Sequence, residues 1–149
     1  MNARIGTGVP RRLARRFGAV EGYTHPMSKV VAVIGASKDR HKFGNRAVRA
    51  YRDQGYTVVP INPHEAEIEG LKAYQSILDV PGTVDMASFY VPPEIGEQVI
   101  AQVAQKGVAE VWLNPGAESD ELVARARALS LHPIIACSIV AIGQNPYNL

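Results

Sequence analysis

The chain lacks most of the residue patterns that would mark a familiar catalyst. Its 149 residues contain one cysteine, Cys137. That excludes an internal disulfide and any multi-cysteine metal site, and it fits a reducing compartment, so the expected location is cytoplasmic. No window offers the roughly 18 uninterrupted apolar residues that a bilayer span requires. The arginine-rich stretch Arg11-Arg12-Leu13-Ala14-Arg15-Arg16 leads into Phe17-Gly18-Ala19-Val20 and then at once into Glu21-Gly22, too short an apolar segment for a secretory or twin-arginine signal. His25, His41, His64 and His132 are scattered without HExxH spacing, and there is no GxSxG nucleophile turn. Internal repeats and low-complexity tracts are absent as well.

Charge of one sign is also scarce. The net charge is +2, but Arg4, Arg11, Arg12, Arg15 and Arg16 face only Glu21 among the first 26 residues, which leaves the remainder mildly acidic. Broad docking on nucleic acid needs a basic face. The expected partner is therefore a small molecule, with no nucleic acid and no membrane. Residues 1–27 read as a flexible basic extension, and Met27-Ser28-Lys29 would make a natural beginning directly before the first strand. Residues 28–149 read as one domain, since 46% hydrophobic and 20% charged residues suit a globular unit that buries roughly 70% of its unfolded surface.

The most informative stretch present is Val30-Val31-Ala32-Val33-Ile34-Gly35-Ala36-Ser37. An apolar run without polar alternation is a strand covered on both faces, and the small-residue turn behind it is where doubly wound folds hold nucleotide phosphates. The pattern predicts strands over 29–34, 56–61, 84–91, 109–113 and 133–137. Helices are predicted over 43–54, around 74–78, after Pro92-Pro93 as far as Gly107, and from a Ser119 cap through Leu129. The fold class follows as α/β: a Rossmann-like doubly wound five-stranded parallel sheet in the order 3-2-1-4-5, in a single domain.

Four turns on one edge of that sheet carry the candidate chemistry. After strand one, Gly35 is followed by no second glycine until Gly44, so the turn is longer than the GxGxxG dinucleotide fingerprint allows. It carries Lys38, Arg40, His41 and Lys42, able to balance several phosphate charges, with the Ser37 hydroxyl and backbone N–H groups as further donors. On charge alone a solvated loop fits equally well, and the position between a buried strand and a helix start favours anion binding. An NAD site places Asp or Glu at the tip of strand two, whereas here the tip reads Asn62-Pro63-His64, with Glu65 past a rigid turn. Tyr90-Val91-Pro92-Pro93 follows strand three and Trp112-Leu113-Asn114-Pro115-Gly116 follows strand four. These two stiff turns could wall a flat base, and could equally be ordinary strand ends.

Taken in order, Gly35-Ala36-Ser37, Asn62-Pro63, Ile68-Glu69-Gly70 with Tyr74, Val84-Asp85, Val91-Pro92-Pro93-Glu94, Val111-Trp112 with Gly116, and Cys137 resemble the CoA-binding protein family. Its members are single-domain relatives of the N-terminal CoA-binding domain of the succinyl-CoA synthetase alpha subunit. The resemblance implies coenzyme A or an acyl-CoA as bound ligand. It implies that the loop from Gly35 through Phe43 to Gly44 holds the CoA phosphates, that Asn62-Pro63 borders the ribose phosphate, and that Val91-Pro92-Pro93 and Asn114 to Gly116 flank the adenine and the start of the pantetheine arm. Many relatives carry Lys where this chain has His64, and the pattern after Cys137 departs from the usual ending. Nothing matches the synthetase's second domain with its phosphorylated histidine, so synthetase activity is not implied.

The expected site is thus a cofactor-binding set without catalytic or metal-ligating members: Gly35, Ala36, Ser37, Lys38, Arg40, Lys42, Phe43, Gly44, Asn62, Pro63, His64, Val91, Pro92, Pro93, Asn114 and Gly116. Cys137, at the end of strand five, reads as a buried structural thiol, and Asp85, at the opposite edge, as a loop tether. Three functions remain open: non-catalytic binding of CoA or acyl-CoA; an NAD(P)-binding oxidoreductase or redox sensor, disfavoured by the missing strand-two carboxylate; and a CoA-binding accessory subunit of a multi-chain acyl-CoA ligase or acyltransferase. The small size is compatible with a homo-oligomer or with a separate ligase chain as partner.

Overall fold

A computed structural model describes residues 28–149; the expectations for residues 1–27 lie outside the described part. Strand β1 (Val30–Ile34) leads into helix α1 (Phe43–Asp53) and strand β2 (Thr57–Ile61). A small antiparallel hairpin, β3 (Glu67–Ile68) and β4 (Leu71–Lys72), and a 3-10 turn at Ile77–Asp79 come next. Then follow β5 (Met86–Phe89), α2 (Pro93–Lys106), β6 (Glu110–Leu113), α3 (Asp120–Ala128), β7 (Ile134–Ile135), a short α4 (Ser138–Ala141) and a 3-10 turn at Pro146–Asn148.

Five strands form one parallel sheet in the order β2-β1-β5-β6-β7. The α/β class and the doubly wound parallel sheet are as expected, but the order is not. Counting only the sheet strands it runs 2-1-3-4-5, so the third strand lies against β1 instead of outside β2. Pro60 supplies the physical reason. The N–H groups of Thr57 and Gly35 and the carbonyls of Lys29 and Ile61 tie β2 to β1, which points Pro60 to the other side, where its carbonyl accepts from Tyr74 N–H at 3.0 Å. A full strand on that side would need the donor that proline lacks, so β2 is an edge strand closed only by a bridge at Tyr74.

The continuous apolar run of β1 is explained by cover on both faces. Val31 and Val33 pack with Ala47, Val48 and Tyr51 of α1, while Ala32 and Ile34 pack with Phe89, Ile100 and Leu122 on the α2–α3 side. Each helix is bounded by local chemistry. Pro93 occupies the first turn of α2 and Gly107 ends it in the left-handed region at φ 80°. The Ser119 hydroxyl accepts from Leu122 N–H at the start of α3, with Asp120 and Glu121 favourable in the first turn.

Three smaller differences concern local structure. The segment expected as a helix near 74–78 is a single 3-10 turn, preceded by the hairpin, whose corner Glu69-Gly70 has positive φ at both residues (53° and 77°), as a tight two-residue turn requires. The fifth strand is two residues long instead of five. The chain after Cys137, for which no element was expected, forms α4 and the terminal 3-10 turn.

Candidate ligand cleft

With β5 beside β1, the connections leave β1 in opposite directions, one to β2 through α1 and the other across to β5 and onward. The carboxyl ends of β1 and β5 flank this topological switch point, where open α/β sheets hold ligands. A cleft of about 350 Å³ opens there. Gly35, Lys42, Phe43 and Gly44 form one wall, Tyr90, Val91 and Pro92 a second, and Pro115, Gly116 and Ala117 a third.

The first wall is built by two glycines with no room for side chains. A Cβ on Gly44 would lie 2.2 Å from the Gly35 carbonyl oxygen, so the first turn of α1 is pressed directly onto the tip of β1. A Cβ on Gly35, which has φ +86°, would lie 2.7 Å from Val91 Cγ1 and 2.8 Å from the Tyr90 carbonyl. Gly116, with φ +92°, has open space around it and is needed only for the conformation of its turn. Helix α1 starts at Lys42 without a side-chain cap. The first-turn N–H groups that a helix leaves unpaired, together with its positive dipole end, thus lie at the cleft.

The basic cluster divides. Lys42 lines the cleft and makes no ion pair among the described residues. Lys38 is 3.3 Å from Glu65, Arg40 is 2.6 Å from Glu69, and His41 is 3.5 Å from Asp39. Glu69 also accepts from Asn45 Nδ2 at 3.0 Å and lies 3.7 Å from Arg52. The Asn45 hydrogen bond, followed by the Arg40 contacts, holds the Glu69 carboxyl below its ordinary value. A backbone N–H from His41 does the same for Asp39.

Several expected site residues shape the edge without lining the cleft. Ala36 is fully buried, and its carbonyl accepts from Asn62 Nδ2 at 2.8 Å, while Asn62 Oδ1 accepts from His64 N–H at 2.7 Å. Asn62 therefore staples the tips of β1 and β2 together. Pro63 and His64 are exposed beyond it. The Ser37 hydroxyl accepts from Asp39 N–H and its carbonyl from Asn45 Nδ2, which fixes the loop. Pro93 opens α2. The Asn114 side chain is buried and fully used: Nδ2 donates to Ser88 Oγ and the Phe89 carbonyl, each at 2.8 Å, and Oδ1 accepts from Ser138 N–H at 2.8 Å. Asp85 is a tether, as expected: its carboxylate accepts from Val30 N–H at 2.8 Å.

Tyr90 and Pro115, which belong to the two turns read as walls, do line the cleft; sequence reasoning missed Ala117, and a neighbouring cleft altogether. That cleft, about 320 Å³, shares Phe43, Tyr90 and Pro115 with the first and is completed by Cys137, Val140 and Tyr147 among others. Among the described residues no cluster of three His, Cys, Asp or Glu could hold a metal, and no helix is long and apolar enough to cross a membrane.

Fold and cleft together define a doubly wound domain with an open cleft at its switch point. Within that class the chain belongs to the CoA binding domain family, whose profile matches residues 29–143. It is 40% identical over 82 residues to the alpha subunit of acetate–CoA ligase [ADP-forming] II from Pyrococcus furiosus, a match covering 54% of this chain and 18% of that subunit. A conserved hypothetical protein from the same organism superposes with a TM-score of 0.69 at 34% identity, covering 76% of this chain and 98% of that one. The apo dinucleotide forming acetyl-coenzyme A synthetase 1 of Ca. Korarchaeum cryptofilum superposes with a TM-score of 0.63 at 34% identity, covering 76% of this chain and 27% of the synthetase. The chain thus spans less than a fifth of the ligase subunit and about a quarter of the synthetase.

Proposed function

We propose that the domain binds coenzyme A or an acyl-CoA non-catalytically across the carboxyl edge of the sheet. The observation that carries this reading is the uncapped start of α1, seated on β1 by Gly44 and flanked by Lys42, at the switch point of a CoA binding domain family member. The pyrophosphate lies against the first-turn N–H groups of α1 and Lys42, and the adenosine lies between Val91-Pro92 and Pro115-Gly116. Lys38 and Arg40 serve the outlying phosphate only after giving up Glu65 and Glu69. They are therefore secondary contributors.

Against the NAD(P) reading stands the tip of β2 itself, which carries Asn62-Pro63-His64 and no carboxylate; Glu65, the first one past it, lies 3.3 Å from Lys38. Calorimetry with CoA, dephospho-CoA and NADH separates the two. Tighter binding of CoA than of dephospho-CoA supports this reading, and preference for NADH overturns it. Lys42→Ala is expected to weaken CoA binding about 10- to 100-fold, as for a lost charge-assisted contact, whereas an unchanged Kd removes Lys42 from the site.

The partial coverage of larger ligases favours one second reading, that the domain lends its CoA site to a ligase assembled from separate chains. Co-purification with a chain that carries the remaining ligase domains supports it. Purification of the protein alone from its own cells, with CoA bound, speaks for the free-standing carrier.

A further inference from the structure

The second cleft differs from the first in chemistry although the two adjoin. Two of the polar side chains on its lining, Tyr90 and Asn114, are committed elsewhere, and the Tyr147 hydroxyl sits at the exposed rim. The Tyr90 hydroxyl is 3.0 Å from Ser138 Oγ, which is itself 2.8 Å from Ser88 Oγ, and the Asn114 amide is satisfied on both atoms. What remains facing the space is apolar or soft: the rings of Phe43 and Tyr147, Pro115, Val140 and the Cys137 thiol. No Lys, Arg, Asp, Glu or His lines it. Phe43, Val140 and Tyr147 are 44%, 58% and 77% exposed among the described residues, a clustered outlay of large apolar surface.

Part of the wall lies outside the stretch that the family profile matches. Tyr147 and Pro146 lie beyond residues 29–143, which the family profile matches. They are held in place by Arg46, whose guanidinium donates to the Pro146 carbonyl at 3.0 Å and lies 5.1 Å over the Phe43 ring, and by an edge-to-face contact of Tyr147 with Phe43 at 6.1 Å.

Resting on the CoA reading above, we propose that this second cleft receives the acyl group of a CoA thioester, so that the domain selects apolar acyl-CoA over free CoA. The shared residues Phe43, Tyr90 and Pro115 set the two spaces side by side, so a ligand whose phosphates occupy the first has its far end within reach of the second. At about 320 Å³ the second cleft lies at the small end of ligand sites, which start at about 300 Å³, and it suits a short or medium chain. An uncharged lining welcomes methylenes and offers no cation to a carboxylate, so dicarboxylic thioesters such as succinyl-CoA are disfavoured.

The test is a calorimetric series of CoA, acetyl-, butyryl-, hexanoyl- and succinyl-CoA with the full chain. Affinity is expected to tighten by up to about fourfold per buried methylene from acetyl to hexanoyl, with succinyl-CoA weaker than butyryl-CoA. Val140→Trp, at an exposed position, fills the cleft and is expected to flatten the series while leaving free CoA binding unchanged. Alkylation of Cys137, the single cysteine of the chain, gives an independent readout: hexanoyl-CoA is expected to slow it several-fold more than CoA does. A flat series with CoA still bound, or equal protection of Cys137 by CoA and hexanoyl-CoA, overturns the acyl cleft and leaves the CoA reading standing. Failure of every thioester and of CoA itself to bind overturns both.

Discussion

The two sides of the cleft use glycine for different reasons. On the β1 side, Gly35 and Gly44 face each other with no space for a methyl group; on the β6 side, Gly116 stands in the open and is constrained only by its φ of +92°. One wall is thus defined by close packing of backbone on backbone, the other by the bend of a turn. A wall of the first kind is rigid because it has nowhere to move, and it holds the amides of α1 at a fixed distance from the tip of β1. A wall of the second kind tolerates change.

Substitution makes that difference measurable. Gly44→Ala forces a contact of 2.2 Å with backbone, not with a movable side chain, and is expected to destabilise by more than about 3 kcal/mol or to prevent folding. Chemical denaturation reads this directly, and a near-neutral result would mean that α1 slides away from β1 at little cost. Asn114→Ala comes next. It removes a buried amide that joins β5, β6 and α4, and leaving the Phe89 carbonyl and Ser138 N–H short of partners should cost about 2–3 kcal/mol. Gly116→Ala, strained only by its backbone conformation, is expected to cost about 1 kcal/mol. A loss as large as that of Gly44→Ala would erase the distinction between the walls.

The smallest effect concerns the carboxylates beside the cationic loop. Because Asn45 and Arg40 hold the Glu69 carboxyl below its ordinary value, its contribution is complete above the carboxylate range and fades as pH falls through the lowered value. Glu69→Gln should therefore flatten the acid limb of a stability profile below about pH 4.5, near the ordinary value, and leave the profile near neutrality parallel to that of the parent. An unchanged acid limb would remove Glu69 from the linkage.

Legibility in the sequence followed the range of the interactions. Strand β1 was readable because burial on both faces leaves an unbroken apolar run, and the helix limits because Pro93, Gly107 and Ser119 act locally. The strand order was misread although Pro60 carried the signal, since a proline inside a strand marks an edge. The basic loop read as one cradle because its cations are adjacent in sequence. The carboxylates that claim two of them arrive from the β2–β3 connection and the hairpin corner, 29 residues away in the case of Arg40 and Glu69, and no local pattern announces such a meeting. Asn62 and Asn114 sit at turns as expected, but whether an amide faces a ligand or its own backbone depends on tertiary contacts. The second cleft was hidden because α4 and the last 3-10 turn are too short to show periodicity.

The missing donor at Pro60 reaches past strand order into how the protein behaves in a crowd of its own copies. A stray chain approaching the margin of β2 meets an interrupted row of amides, and the opposite margin, β7, is only two residues long. Neither border offers a template on which further strands could stack, so a domain built around an uninterrupted apolar centre is guarded against fibrous self-association by its two outermost strands.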